Sequence, residues 1–368
     1  MTTTTDRGAG GALARLLPSS GPLVDDHDVV LLDLDGVVYI GPHAVPGAAE
    51  HLGSARSAGA RLVFVTNNAS RPPAVVAQHL TDLGVDCEET DVVTSAQAAA
   101  HHLRSTLGAG ARVLRIGGAG LTEALEAEGL QPVDSLDDEP VAVVQGFSPD
   151  LTWRHLAEAT RAVRSGLPWV ATNLDLTVPV VGGPAPGNGT LVGAVRTASG
   201  VEPYVVGKPE PALFAEAVRR SSARRPLVVG DRLDTDLEGA RRAGLPGLLV
   251  LTGVSGIPDL LTAHPGERPT HVSWDLRGLL DTHPDVRARV DGRRVEVTCG
   301  AVVLTHADGG WDAAGIDGAD ALDVVRAAAV AAWSAADAGL ESDTALLHRV
   351  AATARDDRQL RGDVAAGG

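Results

Sequence analysis

Five short apolar segments that end in glycine or polar residues constrain the fold of this chain most strongly. They are rich in Val, Leu and Ile, and they do not alternate between hydrophobic and polar positions. The segments are VVLLDLDG (29–36), ARLVFVTNN (60–68), RVLRIGG (112–118), VAVVQGF (141–147) and PLVVGDR (226–232). Such runs are typical of parallel strands buried on both faces. Helical segments lie between them, for example at 48–60 and 210–223, so the sequence predicts an α/β fold with right-handed crossovers.

The length of the chain, 368 residues, exceeds the roughly 100–200 residues usual for one domain. The expected units are a flexible N-terminus (1–25), a Rossmann-like parallel-sheet core (26–94 and 205–273), an inserted α/β domain (95–204) and a small α+β extension (274–368) whose end is disordered. Within the extension, the segment at 293–310 predicts a β-hairpin, and the Ala-rich segment at 320–339 predicts an amphipathic helix.

Charge and cysteine content exclude several classes of function. The formal net charge is −16 and there is no long basic run, so nucleic acid and anionic membranes are poor candidates for partners. Cys87 and Cys299 are the only cysteines and lie far apart, which argues against a zinc site or a disulfide scaffold. No apolar run approaches the ~20 residues that span a bilayer, and no signal-peptide pattern is present, so we expect a cytoplasmic protein.

Acidic residues follow two of the predicted strands. Asp33 and Asp35 are two positions apart, so their side chains start on the same side of the backbone, and Gly36 permits a sharp turn. Alone, this pattern is also compatible with an ordinary turn or a helix cap. Asp231 lies at the C-terminal end of the segment at 226–232, whereas Asp234 or Asp236 could cap a helix that begins near Leu237.

Both acidic segments are expected to line one crevice, where they could bind the same ligand. Ligands of parallel sheets bind beyond the carboxyl ends of the strands, where both acidic segments should meet. Two adjacent carboxylates repel each other and need a cation, a proton or a hydrogen-bond network. Ligands that are rich in oxygen and lack sulfur favour Mg²⁺, which binds through carboxylates, waters and phosphate oxygens.

Lys208 is the only lysine among 31 basic Lys and Arg residues. Lysine delivers a compact charge from a flexible stem, whereas the guanidinium group of arginine is a planar fork. A site that must fit one cation between a carboxylate and a phosphoryl oxygen would therefore select lysine. The alternative is that a single surface lysine lies here by chance.

Four segments in order resemble the motifs of the haloacid-dehalogenase (HAD) superfamily. They are DLDGVVYIG (33–41), VTNN (65–68), GKP (207–209) and GDRLDTD (230–236). The large insertion between the second and third motifs is similar to that of C2-capped members. The insertion and its flanks resemble the class IIA phosphatase branch, which includes nitrophenyl, phosphoglycolate and glycerol-3-phosphate phosphatases. The resemblance covers residues 29–273 and implies a HAD core with an inserted C2 cap domain.

This resemblance implies an Mg²⁺-dependent phosphomonoesterase that acts through an aspartyl-phosphate intermediate. Asp33 would be the nucleophile, and Asp35 would protonate the leaving oxygen and then activate water. The implied metal ligands are the Asp33 carboxylate, the Asp35 carbonyl and Asp231, with Asp236 binding directly or through water. Thr66, the backbone N–H of Asn67 and Lys208 would hold the phosphoryl group.

The cap would select the substrate. By the same resemblance, Asn173 and Asp175 are the expected cap contacts of the substrate, and Leu174 replaces the proline that is commoner in the family. Thr177 stands where the branch often has an arginine, which favours a neutral polyol such as glycerol 3-phosphate. Arginines elsewhere in the cap, at 154, 161 or 164, would instead suit a carboxylate substrate. Phosphoglycolate, pyridoxal phosphate, a sugar phosphate or 4-nitrophenyl phosphate remain alternatives.

Two other classes of function also start from these residues. A phosphomutase would use the same aspartyl-phosphate but transfer it to a second acceptor. A phosphometabolite sensor would bind without turnover. The expected partner in every case is a small phosphorylated metabolite, and a homodimer through the cap is expected by analogy.

Overall fold

The computed structural model describes residues 15–180, 182–340, 345 and 347–350. The expected flexible N-terminus lies partly outside these residues, up to residue 14. Residues 15–25 are not a free arm, because Leu16 is buried and the backbone N–H of Leu17 donates to the Thr270 carbonyl at 2.8 Å. The expected disordered end of the extension, past about residue 356, lies outside the described residues.

Strands and helices alternate through the first three quarters of the chain. The strands are β1 (Val29–Leu32), β2 (Tyr39–Ile40), β3 (His43–Ala44), β4 (Arg61–Thr66), β5 (Val92–Thr94), β6 (Arg112–Ile116), β7 (Gln131–Val133), β8 (Ala142–Gln145), β9 (Trp169–Ala171), β10 (Thr177–Val180), β11 (Gly183–Pro186), β12 (Tyr204–Val205), β13 (Pro226–Gly230), β14 (Gly247–Val250), β15 (His271–Ser273), β16 (Val286–Asp291), β17 (Arg294–Cys299), β18 (Val302–Ala307) and β19 (Gly310–Ala314). The α-helices are α1 (Leu23–Asp26), α2 (Ala48–Ser57), α3 (Pro73–Asp82), α4 (Ser95–Leu107), α5 (Ala119–Ala127), α6 (Trp153–Arg164), α7 (Asn188–Ser199), α8 (Ala212–Ser221), α9 (Glu238–Arg242), α10 (Ile257–Leu261) and α11 (Ala321–Asp337).

The core is a six-stranded parallel sheet in the order β15-β14-β13-β1-β4-β5. Strand β1 lies at its centre, paired in parallel with β13 on one side and β4 on the other. All four residues of β1 are buried because helices cover both faces of the sheet. The prediction of buried parallel strands is confirmed, and the carboxyl ends of β1, β4 and β13 therefore lie side by side.

The inserted segment forms a second parallel sheet in the order β12-β9-β8-β6-β7. Helices α4 and α5 lie on the face of this sheet whose hydrophobic cluster continues into the core, and α6 and α7 pack on the other face. Strand β12 pairs with β9 and so belongs to the cap sheet, across the expected boundary at residues 204 and 205. The hairpin of β10 and β11 projects from the cap as a separate two-stranded sheet.

The extension is an antiparallel sheet, β16-β17-β18-β19, that packs on helix α11. The predicted hairpin and helix are both confirmed. Their hydrophobic cluster is continuous with core residues such as Leu249 and Leu260, so the extension shares a core with the parallel sheet. The Trp333 indole N–H donates to the Leu260 carbonyl at 2.8 Å, which fixes α11 against α10.

Within the part of the chain that the structure describes, no helix is both long enough and apolar enough to span a bilayer.

Candidate active site

Three adjacent strand ends carry the predicted site residues. Asp33 follows β1, Asp231 follows β13, and Thr66 is the last residue of β4. Because these strands pair in parallel, with Leu32 opposite both Val229 and Phe64, their polar ends open into one crevice.

Three carboxylates meet in this crevice. Oxygen atoms of Asp33, Asp231 and Asp236 all lie within 4.8 Å of one another, and Asp231 and Asp236 are almost completely buried. One oxygen of Asp231, Oδ2, accepts the backbone N–H of Val254 at 2.7 Å. The other, Oδ1, is buried and has no hydrogen-bond partner among the described residues, so it is available to a ligand that the protein itself does not supply.

Gly36 is required by the packing of this cluster. Its φ is +81°, a conformation that favours glycine, and a Cβ atom there would lie 2.3 Å from Asp231 Oδ2. The glycine after the first acidic segment therefore allows the second acidic segment to approach.

Lys208 lies between two of the carboxylates. Its Nζ donates to Asp33 Oδ1 at 2.5 Å and to Asp236 Oδ1 at 2.7 Å, and the side chain is only 5% exposed. The sole lysine of the chain therefore lies inside the site, and the alternative of a chance surface position is wrong.

The electrostatic balance of the cluster calls for another cation. When three carboxylates and one ammonium are all ionised, their charges sum to −2. Burial, with repulsion from Asp236 and Asp33, raises the pKa of Asp231 to about 7. Burial also raises the pKa of Asp236 to about 6, although Lys208 opposes this shift. Burial alone would lower the pKa of Lys208, but attraction to Asp236 and Asp33 holds it above its usual value.

A divalent cation fits this donor set. The unpartnered Asp231 oxygen, the all-oxygen ligands and the charge of −2 agree with the preference of Mg²⁺ for carboxylates. A second group of possible ligands, His101, Glu128 and Glu216, fits less well. There the Glu216 carboxylate already accepts hydrogen bonds from the guanidinium groups of Arg219 and Arg220.

The alternative that Asp234 or Asp236 caps a helix is wrong. Residues Leu233–Leu237 form a π-helical turn before α9. Asp236 faces Lys208 and accepts the backbone N–H of Arg232 at 3.2 Å, four residues earlier. Asp234 forms two hydrogen bonds with the Arg232 guanidinium, at 3.0 and 2.8 Å. Both side chains are therefore engaged away from the first turn of α9.

Asp35 lies beside the cluster and has a different environment. Burial raises its pKa, while the positive charge of Arg71 and then that of Lys208 oppose the rise. A carboxyl group with a raised pKa retains a proton more readily, which suits a general acid. Arg71 was not predicted as a site residue, although it lies three residues after the predicted VTNN motif.

The cap meets the core at Asn67. The Asn67 side-chain amide donates to Asp175 Oδ1 at 3.1 Å, and the Asn173 amide donates to the Asn67 carbonyl at 2.7 Å. Both predicted cap residues therefore reach the loop that follows β4. The Asp175 N–H donates to Asn173 Oδ1 at 3.1 Å, which closes a local turn around Leu174, the departure from the family pattern.

Three further residues at this junction were not predicted as site residues. The Ser95 hydroxyl donates to the Asn67 carbonyl at 2.6 Å, and Asn188, at the start of α7, donates to the Asn173 carbonyl at 2.8 Å. Burial raises the pKa of Asp175, and the positive charge of Arg232 is one of the influences that oppose this rise. No local sequence pattern marks these residues, because their partners at this junction lie at least 15 positions away in the chain.

Comparisons with known proteins agree with this geometry. A family model described as haloacid dehalogenase-like hydrolase matches residues 30–131, and one described as HAD-hydrolase-like matches residues 205–279. The D-glycerol 3-phosphate phosphatase of Mycobacterium tuberculosis is 48% identical over 322 residues, which cover 86% of this chain and 89% of that protein. The acid sugar phosphatase of Staphylococcus aureus is 36% identical over 232 residues, which cover 62% of this chain and 88% of that protein.

A solved structure is similar over most of the chain. The crystal structure of the glycerol phosphate phosphatase from Mycobacterium tuberculosis in complex with magnesium aligns with a TM-score of 0.75 and 45% identity. The alignment covers 85% of this chain and 92% of that chain. The chain therefore belongs to the haloacid-dehalogenase superfamily, in its C2-capped class IIA phosphatase branch.

Proposed function

We propose that this protein is an Mg²⁺-dependent phosphatase that hydrolyses glycerol 3-phosphate with Asp33 as its nucleophile. The observation that carries the proposal is the buried cluster at the strand ends, in which three carboxylates meet and the ammonium group of Lys208 lies between two of them. The similarity to the D-glycerol 3-phosphate phosphatase of Mycobacterium tuberculosis supports the choice of substrate.

Asp33, Asp231 and Asp236 would hold the magnesium ion, together with the backbone carbonyl of Asp35. When bound, the ion neutralises negative charge on the carboxylates and on the phosphoryl group, which otherwise repel each other.

In the first step, a carboxylate oxygen of Asp33 attacks phosphorus, and the bond from phosphorus to the glycerol oxygen breaks. The departing oxygen takes a proton from Asp35, whose raised pKa favours the protonated form before the reaction. Glycerol leaves, and the phosphoryl group is esterified to Asp33.

In the second step, a water oxygen attacks the same phosphorus and transfers a proton to Asp35. The bond between phosphorus and the Asp33 oxygen then breaks, which releases phosphate and restores both carboxyl groups. Lys208 and Thr66 orient the phosphoryl group in both steps, with the backbone N–H of Asn67. This role requires that Lys208 stay fixed against Asp33.

The cap supports a neutral leaving group. Thr177 begins the exposed strand β10, where it offers a hydroxyl in place of a guanidinium. Two of the cap arginines are occupied elsewhere, because Arg161 pairs with Glu158 and Arg164 donates to the Ala198 carbonyl at 3.3 Å. We propose that Asp175, which faces the core, contacts the substrate directly.

Steady-state phosphate release tests the function. The purified protein with Mg²⁺ should be compared across both enantiomers of glycerol 3-phosphate, phosphoglycolate, sugar phosphates, pyridoxal phosphate and 4-nitrophenyl phosphate. We expect the highest kcat/KM for a glycerol phosphate, and we expect Thr177→Arg to shift the preference toward phosphoglycolate.

Other outcomes would identify the competing functions. A higher kcat/KM for a sugar phosphate or for phosphoglycolate would refute the substrate assignment alone. Transfer of phosphate to an added acceptor would indicate a mutase, and binding without turnover of any compound would indicate a sensor.

Three further expectations remain predictions for experiment. They are the division into core, cap and extension domains, the homodimer through the cap, and the cytoplasmic location.

A further inference from the structure

A chain of buried asparagine side chains joins the cap to the active-site lysine. Asn188 donates from its side-chain amide to the Asn173 carbonyl at 2.8 Å. Asn173 in turn donates from its side-chain amide to the Asn67 carbonyl at 2.7 Å. The three side chains are 2%, 4% and 9% exposed, so water does not compete effectively for these hydrogen bonds.

Asn67 holds the backbone of Lys208 from both sides. Its side-chain oxygen accepts the Lys208 N–H at 2.8 Å, and its amide nitrogen donates to the Lys208 carbonyl at 3.1 Å. The same amide nitrogen donates to Asp175 of the cap. A displacement of Asn67 would therefore displace Lys208, whose ammonium group lies between Asp33 and Asp236.

Gly207 shows how closely cap and core approach at this point. A Cβ atom on Gly207 would lie 2.4 Å from the Thr172 carbonyl oxygen, 2.8 Å from Asn67 Oδ1 and 2.9 Å from the Asn173 Cβ atom. The cap loop thus packs directly on the backbone that carries Lys208, and the glycine of the GKP segment is required by this contact.

Both polar atoms of the Asn173 side chain form hydrogen bonds within the protein. Its amide nitrogen donates to Asn67, and its side-chain oxygen accepts the Asp175 N–H at 3.1 Å. The side chain is also almost completely buried. These contacts argue against the sequence-based expectation that Asn173 binds substrate.

We propose that Asn173 and Asn188 are positioning residues, through which the seated cap sets the Lys208 ammonium group for phosphoryl transfer. This inference rests on the proposed function for its effect on catalysis. Its structural part, that the cap asparagines determine the environment of Lys208, can be tested without turnover.

The experiment uses the fact that Lys208 is the only lysine of the chain. Protein labelled with ¹³C at lysine Cε gives a single NMR signal from the methylene group beside the ammonium. We expect Asn173→Ala and Asn188→Ala to shift this signal. The control is Thr190→Val, which removes an exposed hydrogen bond from the same end of α7, and it should leave the signal in place.

Kinetics give the second measurement. Because a misplaced group costs turnover more than binding, we expect Asn173→Ala to lower kcat about 10-fold to 100-fold. We expect KM to change less than about threefold, since uniform binding is not lost. Urea unfolding of each variant verifies that the fold is retained.

The NMR and kinetic results together distinguish failure of the positioning role from failure of the proposed function. An unchanged Lys208 signal, or a raised KM with unchanged kcat, would overturn the positioning role. If the variants shift the signal but the wild-type protein hydrolyses no phosphomonoester, the proposed function is refuted and the structural coupling stands.

Discussion

Acidification should destabilise this protein through two buried histidines at the junction of core and extension. His271 and His283 pack edge to face with ring centroids 5.0 Å apart, and the Arg326 guanidinium lies 3.3 Å from His283 Nδ1. Burial, followed by the charge of His283, lowers the pKa of His271 to about 3. Burial lowers the pKa of His283 to about 4, although its hydrogen bond to the Gly278 carbonyl opposes the shift.

Proton linkage determines the direction in which the free energy of unfolding changes with pH. Below the unfolded-state pKa of about 6.5, the unfolded chain binds protons that the folded chain rejects, so the free energy of unfolding falls with decreasing pH. The loss continues until the pH reaches the folded-state values of about 3 and 4. Between pH 6.5 and pH 5, each histidine contributes a loss of about 2 kcal/mol at 1.36 kcal/mol per pH unit, and the pair contributes about 4 kcal/mol.

Urea unfolding at about pH 7 and about pH 5 measures this loss. Other groups also titrate in this range, so the informative quantity is the difference between wild type and His283→Gln, which retains a donor for the Gly278 carbonyl. The pH-dependent loss should be about 2 kcal/mol smaller in this variant. His264→Gln, at an exposed position, serves as the control and should leave the loss unchanged. An identical loss in wild type and His283→Gln would show that the buried His283 side chain does not cause the acid sensitivity.

Three further perturbations test the active site and the extension. Lys208→Arg should lower kcat/KM at least about 100-fold despite the retained charge, because a planar guanidinium does not fit between Asp33 and Asp236. Near-normal hydrolysis by this variant would contradict the assigned geometry. Asp231→Asn should raise the melting temperature of the metal-free protein, because it removes one of three mutually repelling carboxylates. The variant should also lose the stabilisation by Mg²⁺ that calorimetry detects in wild type. Retained stabilisation by Mg²⁺ would argue against Asp231 as a ligand. Trp333→Phe should cost about 1–2 kcal/mol in urea unfolding, because the Leu260 carbonyl loses its buried donor; an unchanged midpoint would show that this contact is not stabilising.

The sequence was sufficient to predict the strands and turns that depend only on residues close together in the chain. The apolar run at 29–32 and the turn at Gly36 depend on neighbouring residues, so the core strands and the placement of Asp33 and Asp231 at adjacent strand ends were accessible. The position of Lys208 was inferred from the contrast between lysine and arginine and from the family motif. Its contacts with Asp33 and Asp236 agree with that inference.

The remaining features depend on contacts between segments that are distant in the chain. Asn188 is 15 residues from its partner Asn173, and Asn173 is 106 residues from Asn67, so no local pattern marks the chain of amides. Likewise, the packing of α11 on α10 depends on the tertiary contact from Trp333 to Leu260, 73 residues apart. The hydrogen bond from the Leu17 N–H to the Thr270 carbonyl, which holds a segment expected to be flexible, is likewise a contact between residues distant in the chain.

Rapid acid quenching during the first turnover shows whether Asp33 carries the phosphoryl group. Glycerol 3-phosphate labelled with radioactive phosphorus should be mixed with the Mg²⁺-loaded protein, quenched within milliseconds to seconds, and the protein digested and mapped. We expect hydroxylamine-sensitive label on the peptide that contains Asp33, and none in Asp33→Asn. Release of phosphate with no labelled protein, or label on another residue, would contradict the role of Asp33 as the nucleophile.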